Sequence, residues 1–299
     1  MDYKGQYVIL MACSSCNIKK CKHCYISYKG DRTADDLKAI SENLTKKHRV
    51  YINGAEVLIN KEYFNSYETV KQNWFLTNGL EIYRHPNIIQ YLKSKGIEIV
   101  EMSYHFGIQD KISIMNNMML EEIIKILKNN EMEIKILVTI TSENYKMLNE
   151  MCSKAISLGV DRIVFTNFIN QGNAINMSNH NILTEEQKNI FFEQLRQVRH
   201  TIPKEVLKIE RSGNFGRDKL NDNCHFKCIA GSQSIVITPD NNIYPCIFLS
   251  KPGYEIGKLI NGEIVLYYNI QNDGNLCIAD EVCNKGNRSA FIKMLKKNN

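Results

Sequence analysis

The chain has 299 residues, of which 43% are apolar and five are proline, and its net charge is +6. A chain of this length can bury a full core as one large domain, or as one domain with a smaller appendage. The charge is modest for this size, so we expect no nucleic-acid partner. No apolar run reaches the roughly 20 residues of a membrane span, and the N-terminus lacks a secretory signal. With ten cysteines, the sequence predicts a cytoplasmic protein whose reduced thiols bind metal or do redox work.

Strand and helix signals alternate through the first two thirds of the chain. Predicted strands cover 7–12, 50–52, 74–76, 97–103, 134–140 and 161–168. Predicted helices cover 34–47, 62–71, 87–95, 120–128, 143–158 and 185–199, with N-caps at Thr33, Ser142 and Thr184. Six strands that are each followed by a helix predict an α/β fold. Its parallel sheet would have right-handed crossovers and form a partial, open (β/α)6 barrel.

The segments rich in Cys, Gly and Asn lie where predicted strands end. Cys13 follows the first strand, Asn53 and Gly54 the second, and Asn78 and Gly79 the third. Ligands of parallel sheets bind at the carboxyl ends of the strands. We therefore expect these segments to form one site.

The pattern changes after about residue 203, where Gly and Asn become frequent and helix signals rare. Residues 234–238 and 243–246 flank Pro239-Asp240-Asn241-Asn242, which is typical of a hairpin turn. Five of the ten cysteines lie in this part. We expect a core domain at 1–205 and a small Cys-rich, metal-binding unit at 215–299.

Four cysteines, Cys13, Cys16, Cys21 and Cys24, fall within twelve residues directly after the first predicted strand. A zinc site with paired ligands, Cys13 with Cys16 and Cys21 with Cys24, is one interpretation. The four residues between the pairs are a tight span for a tetrahedral ion. Alternatively, three thiolates hold a [4Fe–4S] cluster and leave one iron open for a ligand that reacts.

The segment from Cys16 to Tyr25 resembles the cluster loop of radical S-adenosylmethionine (SAM) enzymes. It has the Cys-Asn-Ile opening and the aromatic His23 before Cys24. Cys16 and Cys21 enclose four residues, one more than the family usually has. The loop must therefore bulge, or Cys13 takes some part. The resemblance implies that Cys16, Cys21 and Cys24 hold a [4Fe–4S] cluster beside SAM.

The strand ends resemble the SAM-binding motifs of the same family. Asn53-Gly54-Ala55-Glu56 is similar to its Gly-Gly-Glu motif, which holds the SAM amino group. A carboxylate suits an ammonium ion, and small residues let the backbone come close. The residues that the resemblance implies in cofactor binding are His23, Tyr25, Gly54, Ala55, Glu56, Thr77, Asn78, Ser103, Asn170 and Gly172. Asn170 and Gly172 belong to the segment expected at the adenine.

The C-terminal cysteines resemble the auxiliary-cluster modules called SPASM and twitch domains. Cys228 and Cys246 enclose seventeen residues around the predicted hairpin, where Asn241 replaces a turn glycine. Cys277 and Cys283 would complete four ligands for one auxiliary [4Fe–4S] cluster. A zinc ribbon on the same four residues is the alternative. Cys224 could replace one of these ligands, or donate a hydrogen atom to a substrate radical.

The resemblance implies an enzyme that reductively cleaves SAM to a 5′-deoxyadenosyl radical, which takes a hydrogen atom from the substrate. Relatives with such an appendage often modify ribosomally made peptides by a thioether or carbon–carbon crosslink, or by epimerisation. A peptide is therefore the leading substrate, and flavodoxin or ferredoxin a suitable reductant. A small-molecule dehydrogenase or rearrangement enzyme would share every motif. A non-enzymatic zinc module would be favoured by basic residues interleaved with aromatics, which the sequence lacks.

Overall fold

A computed structural model describes residues 3–18, 21–177, 181–218, 227–271 and 276–297. The strands are β1 (Tyr7–Met11), β2 (Arg49–Asn53), β3 (Trp74–Thr77), β4 (Ile99–Ser103), β5 (Glu133–Ile140), β6 (Arg162–Asn167), β7 (Lys208–Arg211), β8 (Ser234–Ile237), β9 (Asn242–Tyr244), β10 (Gly257–Ile260), β11 (Glu263–Leu266), β12 (Tyr268–Ile270) and β13 (Leu295–Lys297). The helices are α1 (Ala34–Leu44), α2 (Phe64–Val70), α3 (Leu80–Arg84), α4 (Ile88–Ser94), α5 (Gln109–Ile112), α6 (Asn117–Asn129), α7 (Leu148–Ser157), α8 (Glu185–Thr201) and α9 (Arg288–Met294), with a π-helical turn at Asp280–Asn284. None of the helices in these ranges is long and apolar enough to cross a membrane.

The predicted alternation of strands and helices is confirmed. The six predicted strands are β1 to β6, each within two residues at either end. Sequence analysis missed β7, a short strand that follows α8 and pairs parallel with β6. It also missed the short helices α3 and α5. The fold is α/β with parallel strands, as expected.

The parallel strands divide into two sheets that one side chain joins. β3 to β7 form a five-stranded sheet in chain order, and β1 and β2 belong to a six-stranded sheet of order β11-β10-β9-β8-β1-β2. Between β2 and β3, the side chain of the buried Gln72 makes the hydrogen bonds that backbone groups make between the other strands. Its Oε1 accepts from Ile52 N at 2.7 Å, while its Nε2 donates to Ile52 O at 3.0 Å and to Trp74 O at 2.8 Å. The partial barrel is thereby continuous from β1 to β7.

The residues on the inner face of the barrel differ between the amino ends and the carboxyl ends of the strands. In β5, Ile134 and its alternate neighbours are fully buried against the helices, whereas the residues between them face the barrel interior. Near the amino ends this interior holds ion pairs between strands, such as Lys135 with Glu101 at 2.6 Å. Near the carboxyl ends, Leu137 and Thr139 line a cavity. The barrel is therefore closed by charged pairs at one end and open at the other.

The predicted C-terminal hairpin forms, and it extends the sheet of the barrel. β8 and β9 pair antiparallel across the predicted turn, where Asn241 has φ 65°. β8 also pairs parallel with β1. The sheet thus crosses the boundary expected at 205–215. The buried Arg32 reinforces this joint, because its guanidinium donates to Met11 O at 3.2 Å and to Thr238 O at 2.6 Å.

Two of the three predicted helix N-caps are confirmed, and the third is wrong. Thr33 accepts from Asp36 N at 3.1 Å, and Thr184 forms a full capping box with Gln187. The expected cap at Ser142 is wrong, because α7 begins only at Leu148. The side chain of Asn144 bonds Thr141 N and the carbonyls of Phe106 and Thr139, so residues 141–147 form turns.

Candidate active site

A cavity of about 490 Å³ lies at the carboxyl ends of the barrel strands. Ten of the residues singled out from the sequence lie in its wall: Cys16, Cys21, His23, Cys24, Tyr25, Gly54, Ala55, Thr77, Asn78 and Ser103. Its wall as described contains no Lys, Arg, Asp or Glu. Glu56, Asn170 and Gly172 lie outside the wall. Cys224 lies outside the residues that the structure describes.

The three thiols of the cysteine loop face this cavity among hydrogen-bond donors. Cys16 Sγ accepts from Ile18 N at 3.3 Å and from Asn78 Nδ2 at 3.5 Å. Cys21 Sγ lies 3.8 Å from Ser113 Oγ. Burial raises the pKa of all three thiols, that of Cys21 to about 11, and the nearby thiols raise the pKa of Cys16 and Cys21 further. Donors directed at sulfur are the usual surroundings of metal-bound cysteine.

The donor set fits an iron–sulfur cluster better than a single ion. Within the described ranges, no group of three or more His, Cys, Asp or Glu side chains could hold one metal ion as placed. A cluster keeps its cysteine sulfurs farther apart than one tetrahedral ion does, because each sulfur binds a different iron. Three thiols in the wall of one cavity are the kind of ligand that such a cluster needs.

Cys13 is separate from the other three thiols. It is fully buried, and its thiol donates to Glu56 O at 3.5 Å. It lies under Gly54, where an added Cβ would come 2.8 Å from Cys13 Sγ. A zinc site built on Cys13 and Cys16 is disfavoured by this placement. It also explains why residue 54 is a glycine.

Glu56 organises the ends of β2 and β3 from behind the wall. Its carboxylate accepts from Asn78 N at 2.8 Å, from Thr77 Oγ1 at 3.0 Å and from Leu58 N at 3.1 Å. Burial raises its pKa to about 7, although these donors oppose the shift. Asn78, held by Glu56 through its backbone, reaches Cys16 Sγ with its side chain. Glu56 thus positions the turn that contacts the cysteine loop.

A histidine that sequence analysis did not assign to the site lies in the wall. His105 follows β4, is 2% exposed, and packs edge-on against His23 with ring centroids 4.3 Å apart. Thr139 N donates to His105 Nδ1 at 3.0 Å, so the ring proton is on Nε2. Burial lowers the pKa of both rings, that of His23 to about 4, and both are neutral at pH 7. The only signal for His105 in the sequence is its position two residues after the end of a predicted strand.

The segment after β6 packs on the cysteine loop. Asn173 N donates to Cys24 O at 2.8 Å, and Asn173 Nδ2 to Cys21 O at 3.2 Å. Gly172 has φ +62°, and a Cβ there would come 2.5 Å from Cys24 O. Asn170 N donates instead to Asn284 Oδ1 in the C-terminal region, at 2.9 Å. Asn170 and Gly172 therefore support the loop and its surroundings from outside the wall.

A second group of thiols lies beside the first. Burial raises the pKa of the Cys246 thiol, and the thiols of Cys277, Cys228 and Cys283 raise it further because they are close. Lys251 Nζ lies 3.8 Å from Cys283 Sγ. Phe248, two residues after Cys246, lines the cavity and packs edge-on against Tyr25 with ring centroids 4.8 Å apart. The predicted C-terminal ligands are thus brought together next to the cavity.

Comparisons with known proteins support the fold. No protein-family model and no curated protein matches the chain. SuiB from Streptococcus suis bound to precursor peptide SuiA is similar with a TM-score of 0.65 and 15% identity, over 99% of this chain and 68% of SuiB. SuiB bound to S-adenosylmethionine has a TM-score of 0.64 at 16% identity, over 93% of this chain and 63% of SuiB. Native anSMEcpe with bound AdoMet and Kp18Cys peptide has a TM-score of 0.63 at 18% identity, over 97% and 84% of the two chains. At these identities the likeness establishes the fold, and this chain spans about two thirds of SuiB.

Proposed function

We propose that the protein is a radical SAM enzyme that reductively cleaves SAM and abstracts a hydrogen atom from a peptide. One observation carries the proposal. The thiols of Cys16, Cys21 and Cys24 face one cavity at the strand ends of a fold similar to that of SuiB, which was solved bound to S-adenosylmethionine. The cavity volume of about 490 Å³ lies in the usual range for a small-molecule cofactor site.

Cys16, Cys21 and Cys24 would hold a [4Fe–4S] cluster. When bound, it supplies an electron to the SAM sulfonium, which yields a 5′-deoxyadenosyl radical. Gly54 and Ala55 leave room for the cofactor to approach the backbone. Asn78 fixes the loop beside Cys16, and the neutral rings and hydroxyls of the wall offer hydrogen bonds without a fixed charge.

Cys228, Cys246, Cys277 and Cys283 would hold one auxiliary cluster, as in a SPASM- or twitch-type module. Their mutual proximity supports this assignment. Phe248 and Tyr25 lie between this group and the cavity, so a substrate in the cavity would be close to both groups. The auxiliary group would anchor the substrate or accept the electron that the substrate releases. Metal analysis separates a cluster from a zinc ribbon on the same residues.

A peptide is the favoured substrate because SuiB was solved with a precursor peptide and anSMEcpe with the Kp18Cys peptide. β7 and β11 are the end strands of their sheets, and an extended peptide could add to either edge. The peptide would then protect edge amides from hydrogen exchange, whereas a metabolite would protect only residues around the cavity. If a metabolite alone stimulates 5′-deoxyadenosine formation, the substrate is a small molecule and the peptide hypothesis is wrong.

The decisive test replaces Cys16, Cys21 and Cys24 together by alanine. Anaerobically reconstituted wild type should hold about eight irons, and the triple variant about four, since one [4Fe–4S] cluster is lost. SAM cleavage should stop completely in the variant. Cys152→Ala is the control for loss of a cysteine, because Cys152 is buried in α7 away from both groups. Continued 5′-deoxyadenosine formation by the triple variant would refute the assignment.

A further inference from the structure

Two cations lie beside the second group of thiols, against one aromatic ring. Lys251 Nζ lies 3.8 Å from Cys283 Sγ and 5.0 Å from the ring centroid of Tyr254. The guanidinium carbon of Arg288 lies 5.8 Å from the same centroid. Tyr254 also packs against Phe291 of α9, with ring centroids 4.9 Å apart. The face of an aromatic ring attracts cations, so Tyr254 helps to hold the ammonium next to the sulfur.

The backbone of Lys251 is tied to a second cysteine of the same group. Leu249 N and Ser250 Oγ both donate to Cys246 O, at 3.0 Å and 3.2 Å. Lys251 N donates to Leu249 O at 2.8 Å. The segment that carries the ammonium therefore keeps its place relative to Cys246, while its side chain reaches Cys283.

The nearby carboxylates have other partners. On the π-helical turn, Asp280 pairs with Lys188 at 2.7 Å and Glu281 with Lys285 at 2.9 Å. Glu255 accepts from a backbone N–H at 2.8 Å. Within the described ranges, no carboxylate lies at ion-pair distance from either of the two cations. The positive charge beside the second group is thus free to stabilise an anion.

A metal group on four cysteines is such an anion. Four thiolates outweigh the positive charge of a zinc ion or of a [4Fe–4S] core, so the whole group is negative. The ammonium of Lys251 has three N–H donors and no acceptor, and sulfur accepts from it whether or not metal is bound. The contact with Cys283 therefore needs no rearrangement when the group is loaded. Reduction adds a further negative charge, and the potential of a cluster follows its net charge and the hydrogen bonds to its sulfurs.

We propose that Lys251 is a positioning residue that stabilises the negative charge of the auxiliary cluster through the sulfur of Cys283 and raises the reduction potential of that cluster. Tyr254 keeps the ammonium in place. This inference rests on the proposed function, because it needs an iron–sulfur cluster on the four C-terminal cysteines. A raised potential suits an electron acceptor more than an anchor alone, since the cluster would gain the one electron that the substrate radical loses.

The test is a redox titration of the auxiliary cluster, followed by electron paramagnetic resonance. The full chain with Cys16, Cys21 and Cys24 replaced by alanine is the background, so that one cluster gives the signal. Lys251→Met should make reduction about tenfold less favourable, a potential lower by about 59 mV for one electron. Lys251→Arg keeps the charge and should keep the potential close to that of the background. Lys258→Met is the matched control, because it removes an exposed lysine from β10 in the same region.

An unchanged potential in Lys251→Met would overturn the proposal, and so would an equal decrease in Lys251→Arg or in Lys258→Met. If Lys251→Met holds no cluster, Lys251→Gln keeps an N–H donor for the sulfur without the charge, and it should show the lowered potential. A background chain that binds zinc and no iron would instead refute the auxiliary cluster of the proposed function, and this proposal with it.

Discussion

Replacing Gly172 with alanine tests whether the segment after β6 supports the cysteine loop. The new methyl carbon would lie 2.5 Å from Cys24 O and 2.9 Å from Ile26 O. Both are backbone atoms, which cannot move aside by changing a rotamer. Gly172 also has φ +62°, a conformation that strains any residue with a Cβ.

The structure offers a matched position that separates strain from collision. Gly96 has φ +74°, and nothing lies within 4 Å of a Cβ added there. Gly96→Ala should therefore lose only the cost of the left-handed conformation, about 1–2 kcal/mol of unfolding free energy. Gly172→Ala carries the same cost plus a collision with the loop, and overpacking typically adds about 1–3 kcal/mol. We expect a total loss of about 2–5 kcal/mol for Gly172→Ala.

Urea denaturation of the metal-free variants measures both losses. Because the collision is with the backbone at Cys24, reconstituted Gly172→Ala should also hold less iron at the first group, whereas Gly96→Ala should hold as much as wild type. Equal unfolding free energies and equal iron contents for the two variants would show that residue 172 does not contact the loop.

Two further predictions concern buried charges. Burial raises the pKa of Glu56 to about 7, above its value of about 4.3 in an unfolded chain. The folded protein therefore holds this proton more tightly, and its contribution to stability, present below pH 4, is lost as the pH rises through about 7. The unfolding free energy of wild type relative to Glu56→Gln should fall by roughly 3–4 kcal/mol over that range in urea titrations, and a pH-independent difference would contradict the shift. Lys188 Nζ lies 2.7 Å from Asp280 Oδ2, with 7% and 6% of the two side chains exposed. Lys188→Met should cost up to about 3 kcal/mol, less than a fully unpaired buried charge would, because Lys285 Nζ remains 3.8 Å from Asp280 Oδ2. Adding Asp280→Asn should restore part of that loss; strictly additive losses would exclude an interaction.

Sequence patterns predicted the elements whose signals are local. Thr33 and Thr184 cap their helices because each side chain reaches a backbone N–H only three residues ahead. Asn241 adopts positive φ in the hairpin turn, as its tolerance of that conformation indicated. Ser142 is a suitable N-cap residue, but no helix begins there. The side chain of Asn144 bonds nearby backbone groups instead, and these bonds compete with helix formation.

Features that depend on distant residues could not be read from the sequence. Gln72 joins β2 to β3 by bonding Ile52, twenty residues away. Gln171 links Tyr25 to Cys283 across more than a hundred residues on each side. No motif predicted the contacts of either glutamine, because an amide makes such contacts only once the strands are in place. The cysteine spacing predicted which residues surround the cavity, and it could not separate Cys13 from the wall or place Glu56 behind it.

The two regions of the chain depend on each other at the cavity. Tyr25, Ile26 and Tyr28 line the cavity, and Tyr28 is buried against β1, β8 and β9 with Met11, Val236 and Tyr244. The hairpin therefore supplies part of the surface on which the first cysteine loop rests, and Phe248 beyond it completes the wall. A core that ended before β8 would lose both contributions, although it would keep Cys16, Cys21 and Cys24. The C-terminal region is thus required to shape the first group, in addition to carrying the second.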